Sequence, residues 1–104
     1  MEIVSLSLLK EHLRLEQDET EQDEMLESYI DGAVELVEKT INCSFPRLVK
    51  QHGKVPASLK IAIMQIAGHW YRHPEAATNA TLSMCPAATV AIINKFKKSL
   101  PNVG

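Results

Sequence analysis

Carboxylates all but disappear from this chain after residue 38: Glu75 is the one acid in the last 66 positions. The basic residues there have almost no partner of opposite sign in their own half. Aromatic rings are scarce too, five in 104 residues, so the core must be built mostly from Leu, Ile, Val and Ala. That mix suits helices packed on helices. Four glycines, at 32, 53, 68 and 104, are too few and too scattered for a phosphate-cradling loop. No nucleophile sits in a recognisable elbow or beside a sequence-local base. No apolar run approaches the length that crosses a bilayer. Residues 1–15 lack the basic start and unbroken apolar stretch of a signal peptide. The expectation is a protein made in the cytoplasm, with no membrane partner. Two cysteines, Cys43 and Cys85, then read as small buried hydrophobes. The Asn42-Cys43-Ser44 and Asn79-Ala80-Thr81 sequons carry no weight without a secretory route.

What is present is charge sorted by position. Residues 1–38 hold twelve acids and two bases, a net of −10. Residues 39–104 hold nine bases and one acid, a net of +8. The overall −2 conceals two opposed halves. A chain of 104 residues is expected to form one domain, 1–104, with one modest core. Its halves can meet within a subunit or between copies.

Periodicity predicts an all-α, four-helix domain. Ser5 or Ser7 caps a short first helix with Leu8, Leu9 and Leu13 on one face. The polar Glu16-Gln17-Asp18-Glu19 follows as a loop. Thr20, with Asp23 three residues on, resembles a capping box for a long second helix. Leu26, Tyr29, Ile30, Ala33, Val34, Val37 and Ile41 give that helix one apolar stripe, and Asn42 is a terminator. Glu24, Glu27, Asp31, Glu35 and Glu38 form a second stripe, offset from the first. Only Glu35 has a base four residues later, Lys39. Like charges at this spacing cost roughly 0.2–0.5 kcal/mol each. The stripe is either a solvated face or one whose basic partners come from elsewhere.

Residues 42–55 read as an irregular linker, with a short hairpin as an option. Pro56 opens a long third helix. From Leu59 to Tyr71 its apolar residues cover most of the circumference, which marks a helix central to its fold or buried by partners. Pro74 ends it. A small, polar segment, 76–85, leads to Pro86 and a fourth helix. There Val90, Ile93, Phe96 and Leu100 point inward, Lys95, Lys97 and Lys98 point outward, and Pro101 stops the helix.

Catalytic and cofactor chemistry find no motif. His69 and His73 have the i,i+4 spacing of helical metal ligands. No Glu follows His69, however, and Cys43 and Cys85 are far apart, so packing roles are expected and no metal. A basic patch from Arg47, Lys50, Lys54, Lys95, Lys97 and Lys98 raises DNA binding. Against it stand a pI of about 6.1 and the lack of a helix-turn-helix signal. Trp70 and Tyr71 suit either a core or a partner interface.

The order of these features resembles the small head–tail connector (adaptor) proteins of tailed bacteriophages. The opening Val4 to Leu15 is similar to that family's short first helix. The acidic Asp18 to Glu24 and then Leu26-Glu27-Ser28-Tyr29-Ile30-Asp31-Gly32-Ala33 look like its second helix. Val55-Pro56-Ala57-Ser58-Leu59-Lys60-Ile61-Ala62-Ile63, followed by His69-Trp70-Tyr71-Arg72-His73-Pro74-Glu75-Ala76, is the most specific likeness. Cys85-Pro86 with Val90, Ile93 and Phe96 matches the terminal helix. His73, Pro74 and Cys85 depart from the usual residues.

The resemblance implies a structural virion or prophage protein, without catalysis or cofactor, at the head–tail junction. Its subunits would form a head-to-tail ring under the portal. That ring would extend the channel for genomic DNA and carry the next head-completion or tail protein. The candidate contact residues are Glu24, Glu27, Asp31, Glu35, Glu38, Trp70, Tyr71, Lys95, Lys97 and Lys98. The alternative is a small cytoplasmic DNA-binding or regulatory helical protein.

Overall fold

The computed structural model describes residues 3–78 and 85–99, with the side chains of residues 98 and 99 excluded. The described residues fold into six helices and no strand. They are α1 (Leu6–Leu13), α2 (Asp23–Ile41), α3 (Phe45–His52), α4 (Ala57–Arg72), α5 (Glu75–Thr78) and α6 (Ala87–Ser99). The expected all-α class holds. The expected four helices correspond to α1, α2, α4 and α6.

The two long helices, α2 and α4, make the most extensive contact, and α6 and α1 each pack on both. The stripe read from the sequence is the face that α2 buries, with Leu26, Ile30, Ala33, Val37 and Ile41 inward. From α4 come Leu59, Ala62, Ile63, Ile66, Ala67 and Trp70. Leu9, Phe45, Leu48 and Ile93 complete the core from α1, α3 and α6. One buried polar contact stitches α6 to α4: Thr89 donates its hydroxyl to Gln65 Oε1 at 2.7 Å.

The helix ends follow local chemistry. Ser5 caps α1, its hydroxyl accepting from the Leu8 N–H at 3.1 Å. Asn42 ends α2 in the left-handed region, at φ 57°, a conformation Asn tolerates better than most residues. Pro56 stands just before α4 and Pro86 just before α6. Leu100 and Pro101 lie outside the described residues, as does the loop-like Asn79-Ala80-Thr81.

Three expectations are corrected. The linker at 42–55 is neither irregular nor a hairpin, because it contains α3. Ser44 caps that helix, Pro46 sits in its first turn, and Gly53 closes it at φ 81°. A short α5 also follows Pro74. The Thr20–Asp23 capping box does not form: Gln22 is the N-cap residue of α2, without a side-chain cap. Asp23 is engaged elsewhere, with Lys10.

Candidate subunit interface

The acidic stripe of α2 runs along a flank about 120° round the helix from its buried face. Glu24, Glu27, Asp31 and Glu35 are exposed. Among the described residues the ion pairs are Lys10 with Asp23 and His73 with Glu75. Neither involves the stripe, and Lys39 stays beyond salt-bridge reach of Glu35. Within the described subunit, then, the two charged halves do not neutralise each other at this surface.

Glu38 is the exception in the stripe. It is half-buried, and its Oε2 accepts from the backbone N–H of Phe45 at 2.7 Å. This places a carboxylate on the first turn of α3, where the helix dipole favours it. Glu38 therefore joins α2 to α3 inside the subunit.

On its buried side, α2 meets α4. Gly32 lies under the Trp70 ring: a Cβ at position 32 would sit 3.2 Å from Trp70 Cζ3. Tyr29 packs edge-on to the same ring, with centroids 6.1 Å apart and planes at 64°. Trp70 is only 3% exposed. Within the described subunit Trp70 therefore belongs to the core and braces α2. Tyr71 is half-buried and donates its hydroxyl to Gln22 Oε1 at 3.1 Å, which fixes the start of α2 against the end of α4.

A further fixed point was not visible in the sequence. Lys10, 3% exposed, sends its ammonium into the connection between α1 and α2. It donates to the carbonyls of Glu19 at 2.7 Å and Gln17 at 3.3 Å, and lies 2.6 Å from Asp23 Oδ1. That oxygen is buried and takes no hydrogen bond of standard geometry, so the ion pair is its compensation. Gln17 in turn donates its amide to the Ser7 carbonyl at 3.1 Å. The acidic connection is thereby strapped to α1. Lysines are seldom buried unless paired, and nothing in the local sequence marks Lys10 apart from its neighbours.

On the basic side, Lys95 and Lys97 are exposed on α6. The Lys98 side chain lies outside the described residues. Lys50 and Lys54 are exposed at the end of α3 and just beyond it.

The His69 and His73 rings lie with centroids 5.1 Å apart and planes tilted by 46°. Among the described residues no three His, Cys, Asp or Glu side chains converge as metal ligands, so Cys43 and Cys85 do not complete a set with them. Neither cysteine is in a disulfide. Cys43 is buried, and burial pushes the Cys85 thiol above its ordinary pKa. No described helix is long and apolar enough to cross a membrane.

Neither a curated protein nor a solved structure matches the chain. One family model does match, that of the phage gp6-like head-tail connector protein, over residues 3–97. The match runs from just before α1 into the last turn of α6, so it takes in the whole helical core described above. The order of helices read from the sequence and the match agree: the chain belongs to the phage gp6-like head-tail connector family.

Proposed function

We propose that the chain is the subunit of a head-to-tail ring docked beneath the phage portal. The ring extends the DNA channel, passes genomic DNA without reading its sequence, and carries the next head-completion or tail protein. Family membership supports a structural virion role and assembly with other virion proteins. The observation that carries the ring itself is the acidic flank of α2, exposed and unpaired within the described subunit. A ring requires a heterologous contact, in which one patch meets a different patch on the next copy. An acidic flank and a basic remainder supply two unlike patches. Charge complementarity of this kind sets register and encounter rate more than raw affinity.

Within this reading Glu24, Glu27, Asp31 and Glu35 form the acidic contact. Lys95, Lys97 and Lys98 belong to the basic one. Trp70, Tyr71 and Glu38 act from inside, holding α2 at the angle that presents its flank.

The test is electron microscopy of the phage portal with and without excess protein. The expected result is a ring of added density under the portal. The portal is included because it can template a ring that the isolated chain does not form. A portal with no added density overturns the reading.

A further inference from the structure

Two grooves on this subunit share no residue and no helix. The first lies between the start of α1 and α2, with a volume of about 240 Å³. Buried Val4 and Ile30, with Leu6, give it an apolar floor, while exposed Glu27 and Asp31 stand at its edge. The second lies between α4 and α6, about 420 Å³, lined by Ser58, Ile92, Lys95 and Phe96. Ile61, 45% exposed, is the next residue along that face of α4, one turn beyond Ser58. One groove is apolar with two negative charges. The other is apolar with a positive charge.

We propose that these grooves are the two halves of the contact between successive copies, with Lys95 of one copy seated in the α1–α2 groove of the next. The proposal rests on the ring reading above and assigns its interface. Glu27 and Asp31 are one turn apart, so both carboxylates face the same entering group. Neither has an ion-pair partner among the described residues. A lysine suits such a groove because its aliphatic stem covers apolar surface while its ammonium stays with charge. Here the stem would lie on Val4, Leu6 and Ile30, and the ammonium between the two carboxylates. Lys97 is also exposed but lines neither groove. The groove between α2 and α3 carries both signs, Glu35 and Glu38 with Lys39 and Arg47, and so selects no charged partner. The acidic groove would repel its own copy, so the contact pairs two unlike patches. Unlike patches are what the head-to-tail contact of a ring requires.

The test is charge exchange, read as the protein concentration that half-fills the portal with ring density. Helicity and thermal melting of each variant serve as folding controls. E27K/D31K should raise that concentration about tenfold or more, and K95E should do the same, because like charges then face each other. A single chain carrying E27K, D31K and K95E together restores opposite signs and should return to within about threefold of the unmodified protein. Unchanged assembly by E27K/D31K overturns the proposal and leaves the acidic flank for another surface, while the ring reading stands. So does a folded exchanged chain that fails to recover. If the unmodified chain adds no density, the ring reading fails, and this contact fails with it.

Discussion

The Lys10 ammonium sits 2.6 Å from the Asp23 carboxylate, and this one contact joins the first helix to the second across nine residues of polar chain. The lysine side chain is 4% exposed and the aspartate 29%. The same ammonium holds the carbonyls of Gln17 and Glu19. Removing the charge strands three acceptors at once, one of them a carboxylate. Lys10→Met keeps most of the volume and should cost about 2–3 kcal/mol. For a domain of this size that is a fall in melting temperature on the order of 10 °C. A urea melt followed by the emission of Trp70, the one tryptophan, measures it. Asp23→Ala paired with Lys10→Met in a double-mutant cycle should return a coupling of about 1–2 kcal/mol. Additive losses would mean that Lys10 works through the carbonyls alone.

Gly32 and Gly68 predict opposite outcomes for the same substitution. Alanine in place of glycine inside a helix is worth roughly 1 kcal/mol. At Gly68 the new Cβ meets Leu13 Cδ2 at 3.2 Å, the loose end of a half-buried leucine that can turn aside. At Gly32 it meets the Trp70 ring at the same 3.2 Å, and that ring is clamped by Tyr29. Gly68→Ala should therefore stabilise by up to about 1 kcal/mol. Gly32→Ala should destabilise by about 1 kcal/mol, as overpacked cores do. Thermal melts of the two variants, run side by side, decide it.

The long helices were legible because each carries a pattern that only one structure satisfies. α2 shows a single apolar stripe, and α4 is apolar nearly all round between two prolines. α3 was not legible, although Ser44, Pro46 and Gly53 are start and stop signals in the right places. An eight-residue helix is too short to be stable by itself. Its apolar residues, Phe45, Leu48 and Val49, complete barely one turn of pattern, and the β-branched Val49 and Val55 favour extended chain. Tertiary burial of Phe45 and Leu48 decided the matter. At the candidate interface the exposure of the acidic stripe was readable from its offset. What could not be read was which acids are taken inside the subunit. Glu38 differs from Glu35 only through α3, and Asp23 only through Lys10.

That distinction gives a third prediction. Glu38→Ala removes the acceptor of the Phe45 N–H and should cost about 1–2 kcal/mol, as lost helix caps do. Glu38→Gln keeps an acceptor but not the charge, and should cost about half as much or less. Asp31→Asn relieves repulsion from Glu27 and Glu35 at i,i±4 and should leave stability unchanged or slightly raised. Urea midpoints of the three variants rank them. A loss for Asp31→Asn equal to that for Glu38→Ala would mean that Asp31 has a partner inside the subunit.

Cys85 offers a check by pH. Burial raises its pKa, so at any alkaline pH the folded chain carries less thiolate there than an exposed cysteine would. Its alkylation by iodoacetamide should be slower than that of a small free thiol at pH 8, and should keep rising at pH values where the small thiol has levelled off. Buried Cys43 should react more slowly still. Unfolding in urea should bring both to the rate of the small thiol.

The acidic flank as a whole predicts how assembly responds to salt. Exposed charges are screened over about 8 Å at physiological ionic strength and about 3 Å at 1 M. If the flank meets a basic surface on the next copy, ring density on the portal should fall steadily as salt rises, while the helicity of the subunit holds. Reversing Glu27, Asp31 and Glu35 to lysine should abolish ring formation at low salt without loss of helicity, since all three are exposed and make no ion pair in the described subunit. Circular dichroism gives the helicity, and micrographs of portal with variant give the ring. Normal rings from the triple variant would separate two conclusions: family membership would stand, and attraction by the acidic flank would be ruled out as the force that joins the copies.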